Sequence, residues 1–377
     1  MIQVTKTLSF GEPAPLFYLP DQQENPVILA DKAGKPTIIF FYAKDEIPEC
    51  RNIADWFRDQ MPTWTELDIQ ICGISLDPSQ SRQQFAAENN ISFPLLSDVN
   101  GYVSRQYGVL FETPINNQPI LTYTRTAILL DINLRILRIY ALSNWEVATG
   151  EILTDVKSLL PREEPRHITM QAPVLIIPNV LEKEFCRELI HVWATQGNGE
   201  SGSMRQDGNK TLGIIDYSHK IRRDHFVSDE KLMMRLDRIM QRRIFPQIKK
   251  AFQFDATRRE DYRIGCYDAS RGGFFRAHRD NTTGGTAHRR FAMTLNLNSD
   301  EYEGGYLRFP EHGPHLYKPD TGSAVIFSCS LLHEATDVTS GCRYVLLSFI
   351  YGEQDAAHQE AYENKVKNDY ENAIEYR

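Results

Sequence analysis

The chain has 377 residues, enough for two domains of ordinary size. Its 41% hydrophobic and 24% charged residues are those of a globular protein. A formal net charge of −8 argues against a general nucleic-acid or membrane-surface binder. No apolar run is long enough to span a bilayer, and MIQVTKTLSFGEPAP lacks the apolar core of a secretory signal, so the expectation is a cytoplasmic protein with no membrane partner.

The first half reads as strands alternating with helices. Pro36 to Tyr42 (PTIIFFY) is a buried strand, and Cys50 to Gln60 has helical spacing with Ile53, Trp56 and Phe57 on one side. Ile69 to Leu76 is a second strand and Ser79 to Asn89 a helix. Ala127 to Asp131 and Ile136 to Tyr140 form a hairpin around Asn133. This order predicts an α/β layer structure. A helix over Trp145 to Leu160 is followed by PREEPRHITMQAP, whose prolines and mixed charge mark a linker at residues 161–171.

Beyond the linker come a strand (Val174 to Ile177) and a helix (Glu182 to Thr195), then a polar, Gly-rich stretch, GNGESGSMRQDGNK, read as a mobile loop. From Tyr262 short strands follow one another (YRIGCY, FAMTLNLN, YLRFP, SAVIFS, RYVLLSFIY), separated by SRGG, TTGG, EGG and PDTG. That punctuation predicts a double-sheet jelly roll. A charged helix ends the chain, over residues 353–377.

FFRAHRDN carries His278-x-Asp280, and on a strand this spacing sends an imidazole and a carboxylate to one face. His333, 55 residues on, is the best second imidazole. Two histidines and a carboxylate on one octahedral face leave three positions open, the arrangement of non-haem iron(II) oxygenases. His288, His312 and His315 are rival ligands. Arg343, ten residues after His333, can make a bidentate pair with a carboxylate.

Tyr262 to Gly352 resembles the catalytic core of 2-oxoglutarate/iron(II) oxygenases of the prolyl 4-hydroxylase type, through CYDASRGGFFRAHRD, RRFAMTLNLNSDEYEGGYLRFP and GSAVIFSCSLLHEATDVTSGCRYVLLSFIYG. With APVLIIPNVLEKEFCRELI upstream, the resemblance spans residues 172–352. It implies a double-stranded β-helix with flanking helices. It also implies Fe(2+) held by His278, Asp280 and His333, with 2-oxoglutarate anchored on Arg343 beside Tyr267 and ascorbate as an accessory. Dioxygen and a small-molecule or peptide substrate are the implied reactants, and C–H hydroxylation the implied reaction.

Residues 1–160 are similar to the peroxiredoxins, with their thioredoxin-like fold, through FGEPAPLFYLPDQQENPVILAD, SFPLLSDVNGYVSRQYGV and TRTAILLD. Cys50 falls where their peroxidatic cysteine lies, at a helix start that lowers a thiol pKa, and Arg125 where their active-site arginine lies. The chain departs from them at Ala43 and Ile47, where the family has proline and threonine. An isoleucine cannot hydrogen-bond a peroxide, and no cysteine follows closely to resolve a sulfenic acid. A peroxidase, a redox-sensing thiol and an inert Cys50 all stay open.

Basic stretches between Arg205 and Arg259 (HKIRRDH, RIMQRR, QIKKAF) read as a solvated face or as the rim of a cleft for an anionic partner, with Arg222 and Arg223 as the residues to watch. The primary substrate and the oligomeric state are not legible.

Overall fold

The computed structural model describes residues 8–115, 118–158, 167–208 and 210–375. The chain divides into two compact units, Met1–Pro165 and Arg166–Arg377. Of the expected linker, residues 161–166 lie outside the described residues, and 167–171 have neither helix nor strand. Among the described residues no helix is long and apolar enough to cross a membrane.

The first unit is built on a five-stranded sheet. Thr37–Phe41 lies at its centre, parallel to Gln70–Ser75 and antiparallel to Thr126–Leu130; Leu95–Ser97 and Ile136–Ala141 are its edges. Every residue of TIIFF and TAILL is buried, as a strand covered on both faces requires. Alternation splits this apolar run between two cores. Ile38 and Phe40 pack under Ile53 and Phe57 of the helix Pro48–Asp59, whereas Ile39 and Phe41 pack with Cys72, Leu96 and Val103 on the other face. This is the thioredoxin-like layering of the peroxiredoxins. A second hairpin, Leu110–Ile115 with Gln118–Tyr123, was not read from the sequence.

The second unit stacks two antiparallel sheets. The larger, nine-stranded sheet runs through Ala324–Ser328, Phe291–Asn296, Val338–Tyr351 and Arg263–Asp268. Its outer face (Ile264, Met293, Leu295, Leu346) is covered by the helices Lys183–Thr195, Glu230–Ile239 and Phe245–Phe252. Its inner face meets the five-stranded sheet, in which Lys220–Ile221, Phe274–His278, His333–Ala335 and Leu307–Arg308 are neighbours. The cores between the sheets draw Val325 and Val345 from one and Leu307 and Ala335 from the other.

One expectation fails. The stretch read as a mobile loop contains the strand Ser203–Asp207, which pairs with Lys210–Ile214 in an antiparallel hairpin. The hairpin is tied down at Thr211, whose hydroxyl accepts from Gly285 N at 2.9 Å. Its residues are mostly exposed on both faces, so the apolar alternation that signals a strand is missing. The closing helix runs Glu353–Glu375, starting where expected; its last two expected residues lie outside the described ones.

Candidate metal centre

His278 ends the strand Phe274–His278, and its direct cross-strand partner is His333, at the start of His333–Ala335. The register slips by one residue between Phe275 and His278, a bulge that re-aims the strand end toward the cavity between the sheets. Asp280 follows, its N–H donating to the Cys329 carbonyl at 3.0 Å. Ligand atoms of His278, Asp280 and His333 all lie within 4.8 Å of one another. The Asp280 oxygens stand 3.4 Å from His278 Nε2 and 3.3 Å from His333 Nε2. Neighbouring ligands on one ion with bonds of about 2.1 Å stand about 3 Å apart, so the set fits a shared metal with little movement.

The two imidazoles are oriented for that role. His278 Nδ1 is 2.8 Å from the Arg276 carbonyl and His333 Nδ1 3.0 Å from the Leu331 carbonyl. A carbonyl only accepts, so each Nδ1 carries the proton and each Nε2 lone pair faces Asp280. Phe275 stacks on His278 with ring centroids 3.5 Å apart, fixing the ring further. Burial pushes the His278 pKa down and so favours the neutral imidazole. Burial alone would raise the pKa of Asp280, but His333 and His278 hold it well below the usual carboxylate range; Asp280 in turn draws that of His333 up against burial. Of the rival ligands, His288 is buried 3.0 Å from Glu260, and neither His312 nor His315 joins the cluster.

Behind the metal residues lies a second network that sequence reasoning missed. Glu260 accepts from Arg289 Nε at 2.5 Å and Nη2 at 2.9 Å, and Arg289 Nη1 donates to the Asp280 carbonyl at 3.2 Å. In the sequence nothing distinguishes Arg289 from the adjacent Arg290. Only the fold shows that the first turns inward.

The cluster opens on a cavity of about 600 Å³, within the range of small-molecule sites. Arg343 lines it, 3% exposed and paired in register with Tyr267, its guanidinium carbon 5.3 Å from that ring's centroid. Its Nε has no hydrogen-bond partner, and among the described residues it makes no ion pair with a carboxylate. The Tyr267 hydroxyl accepts from Arg222 Nη1 at 3.2 Å. Arg222 is buried but neutralised by Asp224, at 2.6 and 2.7 Å, and Arg223 pairs with Glu200 at 3.1 Å. Neither is a free cation on a cleft rim.

In the first unit Cys50 lies in the opening turn of the helix Pro48–Asp59, but only 1% exposed, among Ile53, Phe57 and Tyr42. Ile47 is the N-cap and offers no side-chain cap hydrogen bond. Arg125 directly precedes the strand Thr126–Leu130, and its side chain is half-buried. The buried arginine beside this loop is Arg82, which donates to Tyr42 Oη at 2.7 Å and stands 3.8 Å from Asp45. Cys72 sits in the core on the opposite face of the sheet from Cys50, its thiol pushed up to about 11 by burial, so the two cannot meet.

A thioredoxin-like layer with a cysteine opening its first helix, joined to a two-sheet unit with a His-x-Asp…His cluster, is the organisation of a redoxin fused to an iron-dependent oxygenase. The chain is such a fusion. Residues 10–138 match the AhpC/TSA family and residues 262–351 the 2OG-Fe(II) oxygenase superfamily. The putative peroxiredoxin bcp of Coxiella burnetii is 34% identical over 125 residues, 33% of this chain and 83% of that protein, and the first unit belongs to the peroxiredoxin family. A chloroplastic peroxiredoxin Q of Sedum lineare is 38% identical over 99 residues, 26% of this chain and about half (53%) of that protein. The solved peroxidoxin BcpB from Mycobacterium tuberculosis is 27% identical, with 41% of this chain and 99% of that one covered and a TM-score of 0.37.

Proposed function

We propose that the chain is a 2-oxoglutarate-dependent iron(II) dioxygenase that hydroxylates a C–H bond of a small-molecule or peptide substrate, in a unit with the double-stranded β-helix architecture. The convergence of His278, Asp280 and His333 within 4.8 Å, with both Nδ1 atoms tied to carbonyls, carries this reading. Iron and 2-oxoglutarate would supply the oxidising chemistry: dioxygen converts 2-oxoglutarate to succinate and carbon dioxide, and the second oxygen atom enters the substrate. The protein residues bind and orient. His278, Asp280 and His333 hold the metal, and Arg343 offers its guanidinium to the distal carboxylate of the cosubstrate. Tyr267 flanks that carboxylate, and the apolar walls (Phe275, Leu307, Phe327) exclude water. A buried guanidinium without a carboxylate of its own is costly unless a ligand supplies one, which supports this role for Arg343.

In this reading the first unit is a redoxin whose Cys50 is poorly placed for peroxide reduction: it is buried, Ile47 stands where a hydroxyl is needed, and Cys72 faces the other core. The test is anaerobic binding of iron(II) and 2-oxoglutarate by the full chain, followed by mass spectrometry of succinate and of candidate substrates after oxygen is admitted. Metal binding and succinate formation that vanish in Asp280→Ala are expected. Succinate formation that survives that substitution would overturn the assignment.

A further inference from the structure

Lys220 lies on the edge strand of the small sheet, directly paired with Phe275, the residue stacked on His278. Only 5% of it is exposed, and its ammonium stands 4.6 Å from the Phe275 ring centroid, one ring away from a metal residue. Two of its three N–H groups are used, on Ser201 Oγ at 2.7 Å and the Gly202 carbonyl at 2.8 Å. Both partners are uncharged. Among the described residues Lys220 makes no ion pair: of the acids that act on it, Asp224 is held in a bidentate pair by Arg222 and Asp280 belongs to the metal cluster. Burial and the neighbouring Arg222 push the pKa of Lys220 well down, as expected of an ammonium in a dry wall without a counter-charge.

The charge of the whole cavity wall points the same way. Among the described residues, Arg205 and Arg279 of the wall pair with Asp216 and Glu311, whereas Lys220, Arg222, Arg289, Arg343 and the half-buried Arg263 share two carboxylates, Asp224 and Glu260, apart from Asp280. On the reading above, iron(II), Asp280 and the 2-oxoglutarate dianion together add a single negative charge. Among the described residues, that leaves the loaded cavity with more basic than acidic groups. Arg343 is then occupied, and Lys220 is left as a basic group with neither a carboxylate nor a cosubstrate; an anion docked beside it would restore the ammonium that burial disfavours.

We infer that the primary substrate is a small molecule or chain end bearing an anionic oxygen group, a carboxylate or a phosphate, which docks on the ammonium of Lys220 while the C–H bond to be hydroxylated faces the metal. This rests on the oxygenase reading and adds the substrate class to it.

The test uses the full chain loaded with manganese(II) and 2-oxoglutarate, so that Arg343 is filled. Benzoate, the isosteric neutral benzamide and inorganic phosphate are titrated in by calorimetry. Saturable binding of benzoate or phosphate is expected, with benzamide about tenfold or more weaker; whichever anion binds more tightly identifies the group. Lys220→Met should abolish the preference for the anion, and Lys220→Gln, which can keep the Ser201 and Gly202 hydrogen bonds, should do the same if the methionine variant does not fold. Equal binding of benzoate and benzamide, unchanged anion binding in both variants, or no anion binding by the loaded wild type would each overturn the inference. Failure of the wild type to bind manganese and 2-oxoglutarate at all would sink the oxygenase reading first, and this one with it.

Discussion

Arg289 donates a hydrogen bond from Nη1 to the main-chain carbonyl of Asp280, 3.2 Å away, while its other nitrogens grip Glu260. The main chain of the residue proposed to bind iron is thus braced by an ion pair whose members are not among the metal cluster. Such braces set the geometry of a ligand without touching the ion, and their loss typically weakens metal affinity about 10–100-fold. Glu260→Gln removes the charge that holds Arg289 in place. It should lower manganese affinity about tenfold in calorimetry, with the protein still folded by circular dichroism.

Metal removal should be visible as lost stability. An ion bound at a free concentration of 100 times its Kd stabilises by about 2.7 kcal/mol. Chelation is therefore expected to lower the melting temperature of the wild type by several degrees and to leave that of His333→Ala unmoved. A chelator-sensitive His333→Ala protein would mean that the ion sits elsewhere.

Arg343 is the sharpest test of the cosubstrate pocket. Truncating one partner of a buried, hydrogen-bonded charge pair costs about 2–5 kcal/mol, a factor of about thirty to several thousand in affinity. Arg343→Ala should weaken 2-oxoglutarate binding by at least the lower figure and leave manganese binding intact. Arg343→Lys, which cannot pair in a bidentate way, should fall between. Anaerobic titration of the manganese form measures both.

The Asp224–Arg222 pair gives a pH dependence. Burial alone would raise the Asp224 pKa, but Arg222 brings it down to about 2 from an ordinary 3.8. A carboxylate depressed on folding contributes stability that is complete above its unfolded pKa and is lost as pH falls through the folded one. A shift of this size corresponds to about 2.4 kcal/mol. The Asp224→Asn variant should therefore be less stable than wild type at pH 7, and the gap should close between about pH 4 and pH 2. Denaturation followed across that range would contradict the pairing if the gap stayed constant.

How much of this was open to a reader of the sequence depends on the range of the interaction. His278 and Asp280 were legible because a two-residue spacing is local, even though the strand ends at His278 and Asp280 lies just beyond it, and Arg343 because its offset from His333 is short. The packed strands TIIFF and TAILL announced themselves by composition. Lys220 and Arg289 were not legible, since what makes them unusual is the partner across the sheet: Phe275 for one, the Asp280 carbonyl and Glu260 for the other. The hairpin Ser203–Ile214 was missed for the opposite reason, as its strands bury too little to leave an apolar pattern. Arg82 was not legible either, because its partners Tyr42 and Asp45 lie on another element.

The last prediction concerns Cys50. The thiol is 1% exposed, and the helix it opens is capped by Ile47, which satisfies none of the free N–H groups. An N-cap hydroxyl is worth about 1 kcal/mol over an apolar residue. Ile47 is also partly buried against the core, so exchanging it for threonine forfeits apolar contact of about the same size. Ile47→Thr should therefore leave the melting temperature nearly unchanged. Its effect should fall on reactivity, because the hydroxyl adds a hydrogen-bonding group one turn from the sulfur, where negative charge gathers as the thiol ionises or attacks. Peroxide consumption by the wild-type first unit should be slow and should rise in Ile47→Thr, and Cys50→Ser in the same background should abolish the gain. Fast consumption by the wild type that disappears in Cys50→Ser would instead show that Cys50 reaches peroxide without the hydroxyl, and the first unit would then have to be counted as a working peroxidase.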